Sequence, residues 1–552
     1  MILETNVWSE RSELEADIVI VGSGAAGITL AMEFINSPFK VLLLEAGSKN
    51  FDAAAQDTYK GEVLSPSHHG SLESYRRKVV GGTTTVWGGR CSPLTEIDFK
   101  KRDHIKNSGW PITNKELNPF YKRAHDYCDI GEFDYSVKNS LYKNPKIVPD
   151  LESTVLAQDE IWRFSLPTNF GEKYISALAS ATNLELLIGA TCQRIDIDPE
   201  SRKVDGLTIL SAGSKECKVI AKIYILAAGG LETTRLLLAS NNILPEGIGN
   251  SSGLVGSYYA SHITGNYGSV KLTDKKCPVS WNYKKTIDGT YFKQNLRVVD
   301  IIQESKKLLN TRVILSHLDF GDPRHGSGIL SGAYLVKRFL KGQIPPEYSK
   351  DLANQEYKNI GKHIRNILFD SPRTIAFTYS WITKRILRKR KLPSIALRSR
   401  KNIYTLHYDS EQTHIKESKI TLSDKKDANG LPRLKVDWRY DENDIDKIFK
   451  TYKTIITEIE KSNAGVALNT EEEVRTAIRN QIGVGSHHIG STRMNIDPNK
   501  GVVDENCKVH DSPNLYLASP SVFCTGGFAN PLLTIVALSI RIADEIKSEN
   551  AI

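Results

Sequence analysis

Apolar residues in this 552-residue chain follow two rhythms, and their alternation predicts its elements. Unbroken apolar runs at 18–21 and 41–44 predict strands buried on both faces, the pattern of a parallel sheet. Between them, residues 28–34 carry helical spacing. The turn joining the first run to that helix holds Gly22, Gly24 and Gly27 in G-x-G-x-x-G order, with Ser23, Ala25 and Ala26 between them. Gly22 suits a tight turn, Gly24 lets the backbone approach a pyrophosphate, and Gly27 permits close helix–strand packing, while the helix start offers N–H donors to an anion. Glu45 closes the second run, 18 residues past Gly27, with Ala46 beside it. An acid there can accept hydrogen bonds from a ribose diol. Together these parts predict a dinucleotide site.

Residues 78–98 have no periodicity. Gly81, Gly82, Gly88 and Gly89 bracket Thr83, Thr85, Val86 and Trp87, which predicts a loop whose backbone approaches something closely and whose Trp87 is shielded from solvent. Residues 115–130 predict an amphipathic helix with Leu117, Phe120, Tyr121 and Ala124 inward. Strands are expected within 183–197 and 204–225, the last running through Ala228 and Gly229 into a helix, a second edge of a nucleotide crevice. From 266 to 440 strands, helices and polar loops mix. Residues 416–438 predict a hairpin turning at Asn429-Gly430, and 441–462 a helix burying Ile445, Ile448, Phe449, Tyr452 and Ile456. A short strand is expected at 514–518. Pro531 stands where a long apolar helix, 532–546, begins. No internal repeat or low-complexity tract is present.

The length predicts two domains, and 40% apolar with 25% charged residues is the composition of a soluble globular protein. The net charge of +9 is mild for this size, and anionic cofactor and substrate sites also collect Lys and Arg, so no nucleic-acid partner is expected. A dense basic cluster from Lys384 to Arg390 reads either as a solvated helical face or as a surface that leans on anionic lipid or a polyanionic substrate. Seven scattered Cys without a C-x-x-C point to a reducing compartment and to no structural metal. No apolar core precedes the first strand, so no signal peptide and a cytoplasmic location are expected. No run of eighteen apolar residues predicts a membrane span.

Five motifs then occur in order: VGSGAAG with Glu45, GGTTTVWGG, GWPI with LNPFY, GLVG with His262, and HHIGSTRM with NPLLT. On these residues the chain resembles the glucose–methanol–choline (GMC) flavin oxidoreductases from Asp17 to Ile546, most weakly over 266–410. The resemblance implies an α/β protein with a Rossmann-like FAD-binding domain of the GMC and glutathione-reductase type. That domain would be assembled from 1–110, 183–265 and 485–552. A discontinuous α+β substrate-binding domain on an antiparallel sheet would take 266–484, and 111–182 would be shared between a cofactor lid and substrate-domain segments. It further implies FAD, with the glycine turn at the pyrophosphate, Glu45 at the adenosine ribose and the 81–89 loop along the flavin. Cys192 would lie near the adenine through its backbone, and Ser519 near the ribityl–pyrophosphate chain. Ala228, Gly229, Asn530 and Pro531 would also border the cofactor. The family's catalytic pair of His with His or Asn falls on His487 and Asn530. Glu411-Gln412 resembles a pair seen near the substrate pocket, and His488 is a further candidate there.

Two departures from the family pattern matter. Val86 stands where some sugar oxidases link FAD covalently through a His, so FAD is expected to be non-covalent. Ser261 replaces an Asp before His262, so no role passes to Ser261 and that of His262 stays open.

A neutral imidazole, with a pKa of about 6.5 when unperturbed, is suited to take a hydroxyl proton at neutral pH. His487 is therefore expected as general base and Asn530 as a donor to the developing alkoxide, with hydride leaving for flavin N5. The expected reaction oxidises a secondary alcohol of a sugar or glycoside to a ketone, with an unknown electron acceptor. The many Lys, Tyr, Asn and Asp of 266–410 favour a polar substrate over a sterol or other apolar alcohol. An FAD-dependent lyase or isomerase, and a non-enzymatic flavoprotein at a membrane surface, stay open as alternatives.

Overall fold

The computed structural model describes residues 1–64, 68–137, 146–148, 150–211, 215–273, 279–280, 282–339, 359–388, 391–394, 396–397, 399, 401–481, 483 and 487–550. The two apolar runs of the N-terminus are strands, Glu13–Val21 and Val41–Glu45, and they pair in parallel. They stand at the centre of the first sheet. Ile2–Leu3 and Leu184–Ile188 extend it in parallel on one side, and Glu216–Leu226 pairs in parallel on the other. Leu515–Leu517 adds a parallel strand beside Glu216–Leu226, while Val204–Leu210 and Thr191–Ile197 continue the sheet antiparallel. Ile18, Val19, Ile20 and Leu43 are fully buried, as strands covered on both faces must be.

Helices cover this sheet. Ala25–Phe34 packs against the C-terminal helix Leu532–Glu549, which also packs on Asn114–Cys128. The last of these opens with a capping box, Thr113 and Glu116 satisfying each other's backbone N–H. Leu117, Tyr121 and Ala124 are buried as its spacing predicts, but Phe120 is only half-buried. The loop at 78–98 is more regular than expected. It holds a 3₁₀ turn, Gly82–Thr85, a two-residue strand, Arg90–Cys91, and a helical turn, Glu96–Phe99. Trp87 is half-buried, anchored by its indole N–H on Thr168 O (2.9 Å).

The second sheet is antiparallel throughout, in the order Gly465–Ala467, Ile263–Leu272, Ile403–Ser410, Thr311–Ser316, Tyr291–Val298, Leu156–Phe164 and Arg90–Cys91. Its core includes the inward residues of Glu442–Lys461, namely Ile445, Ile448, Phe449, Tyr452 and Ile456. The hairpin Lys419–Lys426 and Pro432–Asp437, which turns at Asn429-Gly430, does not join this sheet. It pairs with Glu62–Val63 and packs on the helix Gly229–Ala239.

Glu411 and Gln412 serve as struts here and do not reach the cavity described below. Arg102 grips Glu411 in a fork, at 2.6 and 2.8 Å, with both side chains essentially without solvent exposure, and Asn310 N–H donates to the same carboxylate (2.6 Å). Gln412 accepts from Ser261 N–H (2.9 Å) and the Trp438 indole (3.1 Å), and donates to Arg439 O (2.7 Å). The family-based expectation of a substrate role meets side chains whose hydrogen bonds are already taken up inside the protein. Truncating one partner of such a buried pair costs about 3–5 kcal/mol, because the other charge stays behind unpaired. Glu411→Ala therefore lowers the apparent melting temperature by several degrees in a thermal scan, whereas Ala at the exposed Glu472 leaves it unchanged; equal melting of both variants would contradict this account.

Candidate active site

The C-terminal ends of Glu13–Val21, Val41–Glu45 and Glu216–Leu226 open onto a cavity of about 750 Å³, lined at these ends by Val21, Leu44, Glu45, Ala227 and Ala228. This is where parallel sheets of this kind bind ligands. The turn at Gly22 needs its left-handed backbone, φ +103°. Gly27 allows the helix to lie on the strand, because a Cβ there would stand 1.8 Å from Gly22 O. At Gly24 a Cβ would meet nothing within 4 Å, and Gly24, Ala25 and Ala26 face the cavity from a helix start that has no side-chain cap. Uncapped N–H donors at the start of a ten-residue helix make a cradle for an anionic diphosphate. Glu45 is buried beside them. Its Oε2 accepts from Ser23 N–H (3.1 Å) and Ser23 Oγ (2.6 Å), while Oε1 accepts from Gly47 N–H (2.7 Å) and keeps a lone pair to spare.

At His487 the polar groups form one continuous hydrogen-bond chain. Arg90 Nε donates to Asn530 Oδ1 (2.6 Å), and Asn530 Nδ2 stands 3.1 Å from His487 Nε2. His487 Nδ1 stands 2.6 Å from His262 Nδ1, and His262 Nε2 stands 3.1 Å from Gly526 O. A guanidinium only donates and a carbonyl only accepts, so both ends of the chain are fixed and every proton between them follows. The Asn530 amide N–H donates to His487 Nε2, His487 Nδ1–H donates to His262 Nδ1, and His262 Nε2–H donates to Gly526 O. His487 thus presents Nε2 as an acceptor. Burial, then the nearby charges of His262 and Arg90, push its pKa well below the ordinary value. Burial likewise lowers that of His262.

Local structure explains how these residues meet. Ala260 and Ile489 exchange both backbone hydrogen bonds as an antiparallel bridge, at 2.9 and 3.1 Å. Two residues on from Ala260 and two back from Ile489, His262 and His487 fall opposite each other on one face. Asn530 is set by the helix entry, where Pro531 takes the position before Leu532–Glu549. Arg90 lies over the Trp162 ring (4.4 Å) on the neighbouring strand and pairs with Asp409 (2.8 Å) of the strand Ile403–Ser410. Burial would raise the Asp409 carboxyl, but Arg90 overcomes this and holds it below the usual range.

Of the residues singled out by sequence, Gly22, Ser23, Gly24, Ala25, Ala26, Glu45, Ala46, Gly82, Thr83, Val86, Trp87, Cys192, Ala228, Gly229, His487, His488, Asn530 and Pro531 line this cavity. Gly27, Gly81, Thr85, Gly88 and Gly89 do not line it but belong to the segments that do. Ser519 is turned inward to cap the 3₁₀ turn Pro520–Val522, and its neighbours Ala518 and Pro520 face the cavity in its place. His488 takes no part in the hydrogen-bond chain; its ring clusters with those of His69 (6.4 Å) and Tyr259 (6.2 Å), which also touch each other (5.9 Å). Sequence reasoning missed Arg90 and left His262 open. It also missed Arg76, Lys78, Glu232 and Arg235, a buried charged group on the cavity wall; burial would raise the Glu232 carboxyl, but Arg235, Arg76 and Lys78 together hold it at about 2. The basic triplet Arg76-Arg77-Lys78 beside a glycine loop was the one signal available for them.

Residues 415–539 match the GMC oxidoreductase family model, the C-terminal part of that family. Nearly the whole chain is similar to 2-methyl-1,2-propanediol dehydrogenase of Mycolicibacterium austroafricanum, at 24% identity over 96% of this chain and 95% of that protein. The fructose dehydrogenase large subunit of Gluconobacter japonicus is 22% identical over 97% and 98% of the two chains, and paromamine 6'-oxidase of Streptomyces fradiae 22% over 98% and 93%. Among solved structures, pyridoxine 4-oxidase from Mesorbium loti shares the fold with a TM-score of 0.54 at 16% identity, over 96% of this chain and 99% of that one. Formate oxidase from Aspergillus oryzae does so at 0.55 and 16%, over 98% and 99%. Residues 415–539 thus carry the C-terminal domain of the GMC oxidoreductases, and the chain is similar over nearly its whole length to proteins named as dehydrogenases and oxidases.

Proposed function

We propose that this chain is an FAD-dependent oxidoreductase that takes a secondary CH–OH group of a sugar or similar polyol to a ketone, with His487 as general base. The observation that carries the reading is the hydrogen-bond chain from Arg90 to Gly526, which leaves His487 Nε2 as an acceptor on the cavity wall. Bound FAD would supply the two-electron acceptor for the hydride that leaves the carbinol carbon. The uncapped helix start at Gly24, Ala25 and Ala26 suits its diphosphate, and Glu45 a ribose.

The protein's own part is to bind, orient and deprotonate. With no substrate present, the Asn530 amide N–H occupies the His487 Nε2 lone pair. A substrate hydroxyl takes its place and gives its proton to Nε2, and the displaced Asn530 N–H turns to donate to the oxygen that becomes a carbonyl. Arg90 keeps Asn530 Oδ1 engaged, so the amide cannot present its acceptor to that oxygen. His262, hydrogen-bonded to Nδ1, shares the positive charge that His487 acquires. Arg90, with Asp409 behind it, gives this end of the cavity a polar character that suits a polyhydroxylated substrate. The relatives named for a diol, fructose and paromamine support the same substrate class.

The reading is tested by mixing the purified flavoprotein anaerobically with sugars, glycosides, diols and sterols and following the flavin's visible absorbance. Loss of absorbance with a sugar or polyol is expected. Loss only with a sterol, or with none of them, would contradict the reading. The pH dependence carries a sign. Because burial and His262 hold His487 neutral, its base form persists into acid, so the second-order rate of flavin reduction stays level down through pH values of about 6.5 and falls only below the ordinary histidine range. A fall centred at or above that range would show that another group is the base. Val86 offers no nucleophile, so acid precipitation should release all of the flavin into the supernatant; yellow colour retained in the pellet would establish a covalent link elsewhere.

A further inference from the structure

Between the strands Thr311–Ser316 and Ile403–Ser410 the chain leaves the second sheet for a helical excursion. Among the described residues it includes Gly328–Phe339, Ile360–Phe369 and Ser371–Trp381, the last continued by a wide turn, Ile382–Ile386. These helices pack on one another. Leu330, Tyr334 and His363 point inward, yet Ser371–Trp381 buries none of its residues. The excursion instead turns large apolar side chains to solvent. On Ile360–Phe369 these are Leu368 and Phe369, exposed by 68% and 75%. On the next helix Ile375 and Tyr379, at 71% and 73%, lead with Ile382 along one i, i+4, i+7 stripe, and Leu387 follows at 72%. Soluble surfaces scatter such residues singly and rarely gather them.

The same stretch concentrates positive charge. Residues 359–402 hold twelve of the 73 Lys and Arg and one of the 64 Asp and Glu, Asp370, which is buried. This segment alone is more basic than the whole chain at +9, so the remainder is slightly acidic. Lys384, Arg388 and Lys391 are exposed at the end of the Ile375–Tyr379 stripe. Arg385 ties that end down, donating to Leu392 O and Pro393 O. Lys389 and Arg390 lie outside the described residues and count only as sequence charge. Among the described residues no helix is long and apolar enough to cross a membrane.

Apolar stripes beside an exposed cationic end, on helices unable to span, match a surface that lies in the plane of a bilayer interface. A polyanion such as RNA would account for the charge and leave the aliphatic stripes without purpose. We propose that the excursion docks this protein on an anionic lipid bilayer, with Leu368, Phe369, Ile375 and Tyr379 entering the interface and Lys384, Arg388 and Lys391 meeting the lipid head groups.

Flotation of the full-length protein with vesicles tests this, using phosphatidylcholine alone and phosphatidylcholine with phosphatidylserine, at low and high salt. Binding is expected with phosphatidylserine at low salt, weakened by salt and by its removal. At about five-fold per basic residue near an anionic surface, Lys384→Gln/Arg388→Gln/Lys391→Gln lowers the partition coefficient about 100-fold. Leu368→Ser/Phe369→Ser/Ile375→Ser lowers it at least ten-fold by removing buried apolar area. All six positions are exposed, so flavin content and melting temperature should match wild type. The proposal is overturned if no flotation occurs with phosphatidylserine at low salt, or if the apolar variant floats like wild type. It is also overturned if single-stranded RNA binds as tightly as the vesicles and is unaffected by the apolar changes. Sedimentation velocity showing a dimer that the apolar variant dissolves, without vesicle binding, would assign the face to a second copy of the chain.

Discussion

A guanidinium has no lone pair to offer and a backbone carbonyl has no proton, and the hydrogen-bond chain between Arg90 and Gly526 is pinned by that difference. Reverse the Asn530 amide and its oxygen faces His487 Nε2 while its N–H₂ faces Arg90, a repulsive contact at each end. Shift the proton on His487 to Nε2 and both Nδ1 atoms of the histidine pair become acceptors 2.6 Å apart. Only one arrangement satisfies every group, and in it His487 is neutral with Nε2 as its acceptor. Burial strengthens the satisfied chain and makes every alternative costly.

The geometry of that chain is built from distant pieces. Arg90 belongs to the edge of the antiparallel sheet, Asn530 to the entry of the last helix, and the histidines to a bridge that joins residues 260 and 489. Each piece is held by its own packing. The C-terminal helix buries Leu533, Val536, Ala537 and Ile540 against the first core, and Arg90 is fixed by Trp162 and Asp409 on the second sheet. The hydrogen-bond chain is therefore assembled only when the two sheets are docked. The Arg102–Glu411 fork, with Asn310 and Asp98 around it, links a loop that follows the glycine-rich segment to the end of a second-sheet strand.

Much of the first sheet and its turn was legible in the sequence, because the reasons are local. Strands buried on both faces read as unbroken apolar runs, and Gly22, Gly24 and Gly27 answer to steric demands within a few residues of themselves. The hairpin at Asn429-Gly430 was legible for the same reason. His262 was not, since its partner lies 225 residues away and only the Ala260–Ile489 bridge brings them together. Its judgement from the missing Asp at Ser261 used the wrong neighbour: the relevant one is across the bridge. Arg90 was hidden likewise, 440 residues from Asn530. Glu411 shows the opposite error. A motif position suggested a substrate contact, whereas burial and a guanidinium fork give it a structural duty. The loop at 78–98 was read as irregular because its 3₁₀ turn and two-residue strand are too short for any periodicity to show.

The most direct measurement of the central claim is the anaerobic rate of flavin reduction in His487→Ala with imidazole added back. If His487 Nε2 takes the hydroxyl proton, the variant keeps its flavin, reduces slowly, and recovers rate in proportion to the concentration of neutral imidazole. A variant that reduces its flavin at the wild-type rate without imidazole would contradict the account.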